Sequence, residues 1–243
     1  MFQIRYYDQT DSTNDDAVPL LGLPESAGVA LWADFQRQGH GRRARSWVAP
    51  PGSSLLVTAM LPRTVAAHAL WAVPFWTALG VADGIEAATR LRVDLQWPND
   101  LLLGGRKCCG ILCVSRVVGE RAWIGCGTGV NVVRPAGSAE LAAVEPPPAF
   151  LSDQVPGVER RAVLEAILLS YERLLPELDR PDAIARAWER RSGLAGTRYR
   201  LLLDGERDSF EATALRLAAD GSLVVERDGA ERSIALADAR VLR

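Results

Sequence analysis

Lysine is almost absent from this sequence: Lys107 is the only one, against 27 arginines. A mutational bias toward arginine explains the imbalance, but not the one ammonium group that remains in the glycine-bracketed turn GGRKCCG at 104–110. Where a compact, strongly hydrated point charge is needed, a planar guanidinium is a poor substitute. Lys107 is therefore a candidate for chemistry, with chance survival of a single lysine as the alternative.

A surplus of positive charge and a long apolar run are also missing. The net charge of −2 gives no reason to expect nucleic-acid binding, because the phosphate backbone is normally met by a basic surface. No uninterrupted apolar run approaches the roughly 18 residues that span a membrane, and the opening segment MFQIRYYDQTDSTND lacks the apolar core of a signal peptide. We expect a soluble, cytoplasmic protein with no nucleic-acid or membrane partner.

Cysteine and histidine are too few and too irregularly spaced for a structural framework. Three of the four cysteines, Cys108, Cys109 and Cys113, lie within six residues, and a chain this long does not need a disulfide scaffold. With His40 and His68 as the only histidines, a structural zinc site is not expected. Reduced cysteines buried as small hydrophobic residues are the prediction.

The apolar segments predict an α+β protein with two parts. Residues 1–195 are expected to form a mixed β-sheet flanked by helices, and 134–157, which is rich in proline, to be an irregular surface excursion. Asp-Gly pairs between alternating runs are a strong hairpin signal, and they predict a small β-barrel over 196–243. The β-like runs of the first part are at 2–8, 27–34, 54–61, 93–97, 109–115 and 122–133; the Asp-Gly turns are at 204–205, 220–221 and 228–229.

Helices are predicted in three places. Residues 66–90 have helical composition, and Pro74 either begins a new helix or kinks this one. Apolar residues at i, i+3 and i+4 spacing predict an amphipathic helix over 159–178. A further helix is expected over 181–192, with proline in its first turn.

The loop QRQGHGRRARSW at 36–47 combines glycines with arginines. Glycine lets backbone N–H groups approach an anion closely, and the guanidinium groups of Arg42, Arg43 and Arg45 can donate two hydrogen bonds each to phosphate or carboxylate oxygens. A solvated basic loop is the alternative.

Two further motifs contribute polar groups or open space. In WPND, Pro98 fixes a turn, and Asn99 and Asp100 can bind polar ligand groups or a hydrated Mg²⁺. In GCGTGVN, Gly127 and Gly129 leave a strand without side chains, as where a ligand lies close. An ordinary turn and a β-bulge are the alternatives.

The order of these motifs, DSTN, Q-x-x-G-x-G-R-x-x-R-x-W, WPND, RK-x-x-G and G-x-G-x-N, resembles the biotin protein ligases over almost the full chain. The resemblance implies a catalytic domain of the class II aminoacyl-tRNA synthetase and biotin ligase type, followed by a small SH3-like β-barrel. Two positions depart from the family pattern, since His40 stands in a loop that usually reads G-R-G-R and Gln96 stands where lysine usually precedes WPND. These departures put affinity and rate in doubt more than reaction type.

The resemblance implies that the carboxylate of biotin attacks the α-phosphate of ATP, with Mg²⁺ neutralising the pyrophosphate. Lys107 would bridge the two anions, and Arg42 and Arg45 would hold the phosphates. The biotin site would comprise Ser12, Thr13, Gln36, Gly39, Gly41, Lys107, Gly110, Gly127 and Gly129. The ATP site would comprise Arg42, Arg45, Trp47, Asn99, Asp100 and Asn131, with Asp100 also a candidate for the metal.

The implied product, biotinoyl-5′-AMP, would be attacked by a lysine of a biotin carboxyl carrier protein. Since the first strand is expected to begin at Phe2, a ligase without a DNA-binding repressor domain is predicted, and edge-strand homodimerisation is an expectation from the family. A lipoate or octanoate ligase and a non-catalytic biotin-binding protein are the alternatives. The WPND and GHGR segments and the terminal barrel argue against the first.

Overall fold

The computed structural model describes residues 1–137, 141, 144–236 and 239–242. Its strands are β1 (Gln3–Thr10), β2 (Val29–Gln36), β3 (Ser54–Met60), β4 (Val65–Ala66), β5 (Asp94–Gln96), β6 (Asp100–Leu103), β7 (Arg106–Val118), β8 (Arg121–Asn131), β9 (Arg198–Leu203), β10 (Phe210–Leu217), β11 (Leu223–Arg227), β12 (Ala230–Ile234) and β13 (Ala239–Leu242). Its α-helices are α1 (Thr13–Ala17), α2 (Val73–Thr89), α3 (Arg160–Leu174) and α4 (Pro181–Ser192).

The first eight strands form a mixed sheet in the order β1-β2-β3-β8-β7-β6-β5, with β4 paired to β8. β1 runs parallel to β2, and the other neighbours are antiparallel. β3 is buried along its whole length because it lies in the middle of the sheet. The predicted mixed sheet flanked by helices is confirmed.

The helices begin where the sequence signals predict. α2 starts at Val73 with Pro74 in its first turn, after a 3₁₀ segment at Ala67–Ala72, so Pro74 begins a new helix rather than kinking one. α3 crosses α2 closely because Gly84 has no side chain: a Cβ there would lie 2.5 Å from Cα of Ile167. Among the described residues, no helix has the length and apolarity needed to cross a membrane.

Strands β9–β13 form a second, five-stranded antiparallel sheet in the order β12-β11-β10-β9-β13. The three Asp-Gly turns are confirmed, with Gly205, Gly221 and Gly229 all at positive φ. The described residues contain no ladder between β12 and β13, so the sheet is open where a closed barrel was expected. Its inner face belongs to the same hydrophobic core as the first sheet, through residues such as Phe210 and Leu223.

Most described residues of the segment 134–157 are exposed or half-buried, as predicted for a surface excursion, but three of them are not. Ala149, Phe150 and Leu151 are almost completely buried, because the Ala149 amide donates to the carbonyl oxygen of Lys107 and anchors the segment on β7. Part of this segment, 138–140 and 142–143, lies outside the described residues. The prolines that suggested a surface loop instead lead into a short buried stretch.

Candidate functional site

A cavity of about 590 Å³ opens on the first sheet, and the predicted site residues gather around it. Its wall comes from the loop after β2, the start of α1, the WPND turn and strands β7 and β8. The predicted residues on the wall are Ser12, Thr13, Gln36, Gly41, Arg42, Arg45, Trp47, Asn99, Asp100, Lys107, Gly110, Gly127, Gly129 and Asn131. Gly39 is not on the wall: a Cβ there would lie 2.7 Å from the carbonyl oxygen of Trp47, so this glycine allows the loop to fold back on itself.

Lys107 lies in strand β7, not in the glycine turn that the sequence suggested. The turn is formed by Gly104 and Gly105, both at positive φ. Lys107 Nζ lies 2.6 Å from Oδ1 of Asp100 and 5.4 Å from the centre of the Trp47 ring. The ammonium therefore has a carboxylate beside it and an aromatic face within cation–π range.

Two glycines make a flat floor beside this ammonium. Gly110 and Gly129 are direct partners across the β7–β8 ladder, and the Trp47 indole lies on both. A Cβ would come within 2.8 Å of the ring at Gly110 and within 2.6 Å at Gly129. These glycines are required by the close approach of a planar group, rather than by a β-bulge.

A row of polar side chains lies at one end of the cavity, with Thr58 behind the wall. We define this polar row as Gln36, Thr13, Thr58 and Asn14. Gln36 Oε1 accepts hydrogen bonds from the backbone N–H and the hydroxyl of Thr13, both at 2.9 Å. The Thr58 hydroxyl lies 2.9 Å from Thr13 Oγ1 and 2.7 Å from Asn14 Oδ1. Sequence reasoning missed Asn14 and Thr58, although Asn14 completes the DSTN motif.

The glycine–arginine loop folds into a small hairpin, in which His40 bridges to Ser46. Arg43 is the unusual residue, because its φ of 60° lies in the left-handed region. Its guanidinium pairs with Asp204 in the turn between β9 and β10, and that of Arg42 donates to the carbonyl oxygen of Leu236. The second sheet therefore holds this loop in place.

Arg42 is a partly buried arginine of this loop. Burial lowers the pKa of its guanidinium, and the neighbouring charge of Arg43 acts in the same direction. Its Nη1 lies 3.5 Å from Oδ1 of Asn99, whose Nδ2 donates to the carbonyl oxygen of Ile111 at 2.7 Å. A partly desolvated cation of this kind is stabilised by an anion in the cavity.

The two departures from the family pattern lie apart from each other. His40 Nε2 is 2.8 Å from Oδ2 of Asp15 on α1, so the histidine ties the loop to that helix. Gln96 ends β5 and is not among the described residues that line the cavity. Gln96 pairs with Asp100 across the β5–β6 ladder, and Asp100 in turn contacts Lys107.

Several wall residues carried no sequence signal. The second sheet contributes Arg200, Val241 and Leu242, and the segment after β8 contributes residues such as Val144 and Pro146. Both segments are distant from the motifs along the chain, so that only long-range packing brings them to the cavity.

The cysteines are thiols with no role on the cavity wall. None of the four forms a disulfide. Burial raises the pKa of Cys108 to about 12 and that of Cys109 well above its ordinary value, so both are protonated at neutral pH. Cys108, Cys109 and Cys126 are buried free thiols, as predicted, whereas Cys113 is only partly buried. Among the described residues no cluster of three metal-ligating side chains occurs.

Comparison with known proteins identifies relatives over most of the chain. The sequence profile of the biotin/lipoate A/B protein ligase family matches residues 6–131. A biotin–[acetyl-CoA-carboxylase] ligase of Paracoccus denitrificans is 34% identical over 201 residues, covering 77% of this chain and 80% of that protein. The bifunctional ligase/repressor BirA of Bacillus spizizenii is 29% identical over 241 residues, covering 96% of this chain and 72% of that protein.

Solved structures show the same fold. The biotin protein ligase from Aquifex aeolicus in complex with biotin and ATP superposes with a TM-score of 0.77, over 99% of this chain and 98% of that chain, at 20% identity. At 20% identity this similarity supports the fold alone. The comparison of function rests on the sequence relatives.

Proposed function

The chain belongs to the biotin/lipoate A/B protein ligase family, and we propose that it activates biotin with ATP to biotinoyl-5′-AMP and transfers the acyl group to a lysine of a biotin carboxyl carrier protein. The observation that carries this proposal is the position of Lys107. Its ammonium lies on the cavity wall beside Asp100 and Trp47. The same wall carries Thr13 and Gln36 and the arginines Arg42 and Arg45.

A carboxylate does not acylate an amine in neutral water, so it must first become a mixed anhydride. The biotin carboxylate and the α-phosphate of ATP are both anions, and their repulsion opposes the in-line attack. Lys107 lowers that repulsion by donating to both groups and stabilises the charge that develops on the phosphoryl oxygens. The arginines Arg42 and Arg45 bind the phosphates as they separate.

A magnesium ion fits this wall. In nucleotide sites Mg²⁺ is usually held by one or two carboxylates together with the phosphates, and Asp100 is a carboxylate on the cavity wall near Arg42 and Asn99. When bound with ATP, the ion supplies charge neutralisation of the leaving pyrophosphate. Asp100 would then bind the metal instead of Lys107. The Lys107 ammonium would then be available to the two reacting anions.

The two substrates occupy opposite sides of the Lys107 ammonium in this proposal. Ser12, Thr13 and Gln36 take the head group of biotin, and the glycines of β7 and β8 let the main chain line the pocket. Asn99 and Asn131 contact the nucleotide, and the arginine loop excludes water from the anhydride, which hydrolyses easily. Trp47, which lies between the two regions, packs on adenine.

We also propose features of the whole protein. The second sheet would be a form of SH3-like barrel, and edge pairing through β1, the first strand of the sheet order, would allow a homodimer. Four unpaired cysteines favour a reducing, cytoplasmic compartment. A net charge of −2 argues against nucleic-acid binding.

The test is incubation of the protein with biotin, Mg-ATP and a carrier domain, followed by mass spectrometry of the carrier. The expected result is one added biotinoyl group per carrier domain, absent when the acceptor lysine is replaced by arginine. An ATP–pyrophosphate exchange assay compares biotin with lipoate and octanoate. A carrier left unlabelled while a known ligase labels it, or exchange that depends on lipoate alone, would reject the proposal.

A further inference from the structure

Two cysteines face each other across the β7–β8 ladder, on the side of the sheet that packs against α2. Cys113 is the direct partner of Cys126 in the register, and Thr77 Oγ1 of α2 lies 3.7 Å from Cys113 Sγ. Both cysteines are free thiols. Neither is among the described residues that line the cavity, so the proposed ligase reaction leaves them without a role.

The backbone hydrogen bonds of β7 show what kind of pair the two cysteines form. The Ile111 amide donates to the carbonyl oxygen of Asn99 at 2.9 Å, and the Ile111 carbonyl oxygen accepts from Asn99 Nδ2 at 2.7 Å. Both groups therefore point away from β8. Because this direction alternates along a strand and the register is unbroken here, Cys113 and Cys126 form a non-hydrogen-bonded pair. The Cα atoms of such a pair are about 4.5 Å apart, within the range of about 4.4–6.8 Å that a disulfide spans.

The other two cysteines are too distant to compete for this bond. Cys108 and Cys109 precede Cys113 by five and four residues on the same strand. A strand rises about 3.3 Å per residue, which separates their Cα atoms from Cys113 by about 13 Å or more. Cys109 lies opposite Val130, equally far along β8 from Cys126. Of the four cysteines, this one pair has the geometry of a disulfide.

The two thiols of the pair differ in reactivity. Cys113 is partly exposed, whereas Cys126 is buried. The pKa of Cys113 lies below its ordinary value, mainly because its sulfur accepts a hydrogen bond from Cys126, and the same hydrogen bond raises the pKa of Cys126. Since the thiolate is the reactive form of cysteine, Cys113 reacts first with an oxidant and Cys126 follows.

We propose that Cys113 and Cys126 are a modification site, at which hydrogen peroxide produces a reversible disulfide. The Cys113 thiolate attacks one peroxide oxygen, the O–O bond breaks, and the hydroxide that leaves takes up a proton to give water. The Cys126 sulfur then attacks the resulting sulfenic acid, and the S–O bond breaks as the hydroxyl leaves with the Cys126 proton as a second water. Two thiols and one peroxide thus give one disulfide and two waters, and a dithiol reductant reverses the reaction.

The bond would join β7 and β8 from the face of the sheet opposite the cavity. Side chains alternate between the two faces of a strand, and the neighbouring Leu112 and Gly127 line the cavity. The disulfide would close residues 114–125 into a loop and so restrict the unfolded chain. It should therefore stabilise the fold under oxidising conditions without filling the site.

Peptide mapping of the whole protein tests the proposal. The protein is treated with hydrogen peroxide, the excess is removed with catalase, and free thiols are alkylated in denaturant before digestion with trypsin. We expect the peptide that ends at Arg116 to be joined to the peptide that begins at Ala122, and dithiothreitol to separate them. The midpoint of thermal unfolding should rise by about 5 °C or more on oxidation and return on reduction.

Cys109→Ala is the matched control for Cys113→Ala. Both changes remove a cysteine from the same tryptic peptide, but only Cys113→Ala should abolish the linked peptides and the rise in the unfolding midpoint. Because the linked peptides are detected in the wild type itself, the test does not require that a variant folds.

Two results would overturn the proposal. One is a wild type in which peroxide leaves Cys113 and Cys126 fully alkylated or oxidises Cys113 to a sulfinic acid without joining the peptides. The other is linkage that persists in Cys113→Ala. Neither biotin nor ATP takes part in this experiment, so its outcome is independent of the proposed function.

Discussion

At the scale of single residues, the position of Lys107 explains why an arginine would not replace it. Its side chain reaches Asp100 at 2.6 Å across the β6–β7 ladder, and the Trp47 ring covers the glycine floor beside it. A guanidinium is larger and planar, so that it would collide with the ring or turn away from the anions. A small ammonium can also rotate its three donors as the oxygens move.

The first prediction concerns Lys107→Arg. This change keeps the charge but displaces the donor, so biotin-dependent ATP–pyrophosphate exchange should fall by about 100-fold or more, in line with the loss of one electrostatic stabiliser. Thermal unfolding followed by circular dichroism should show an unchanged fold. Exchange within about threefold of the wild-type rate would mean that the ammonium does not stabilise the reacting groups.

At the scale of elements, the stretch after β8 braces the strand that carries Lys107. The Ala149 amide donates to the Lys107 carbonyl oxygen at 2.9 Å. Asp153 holds this stretch by accepting from Arg134 Nε at 2.5 Å and Nη2 at 2.7 Å and from the Phe150 amide at 3.0 Å. The pKa of Asp153 lies below its ordinary value, mainly because its carboxylate accepts the hydrogen bond from Arg134.

Asp153→Asn should therefore destabilise the protein in a pH-dependent way. A carboxyl group whose pKa is lowered in the folded state contributes stability above its unfolded pKa of about 3.9 and loses it as the pH falls through the folded value. The free energy of unfolding in urea should be lower than that of the wild type by about 1 kcal/mol at pH 7. This deficit should shrink as the pH falls below about 3.9 toward the lowered folded pKa, because the wild-type carboxyl then becomes protonated. A deficit that does not change with pH would exclude the charged pair as its cause.

At the scale of the whole molecule, the two sheets share one cavity. Arg43 pairs with Asp204, Arg42 donates to Leu236, and Val241 lies on the wall. The arginine loop belongs to the first sheet along the chain, but it is held by the second. The C-terminal residues thus complete the site.

Replacement of Asp204 should loosen the loop without touching the reacting atoms. In Asp204→Asn the ion pair with Arg43 is lost, and an exposed ion pair contributes about 0.5–1 kcal/mol. The release of AMP from biotin and ATP in the absence of a carrier should therefore rise by about two- to fivefold. Asp208→Asn, a change in the same connection between β9 and β10, is the control and should release AMP at the wild-type rate. Equal rates in the two variants would show that the second sheet does not close the loop.

Much of the site was predictable from sequence because its motifs combine residue types with restricted geometry. Gly127 and Gly129 indicated a close approach, Pro98 indicated a turn, and Asp-Gly pairs indicated the hairpins of the second sheet. These signals act over a few residues, and the structure places them as expected.

The remainder depends on contacts between segments that are distant along the chain. Thr58 resembles any threonine of a buried strand until Asn14 packs beside it, and Asp204 resembles any turn aspartate until Arg43 reaches it. The burial of Phe150 was missed for the same reason, since its proline-rich neighbours suggested a surface loop. Packing across the sheet, rather than local pattern, decides these positions.

The scarcity of lysine also has a consequence outside the cavity. Acyl phosphates modify nearby primary amines, whereas arginine side chains remain protonated at neutral pH and do not compete as nucleophiles. Lys107 lies on the cavity wall, so the outer surface formed by these 243 residues offers no lysine to an escaped adenylate. Such a surface spares the catalyst from acylation of its own lysine side chains.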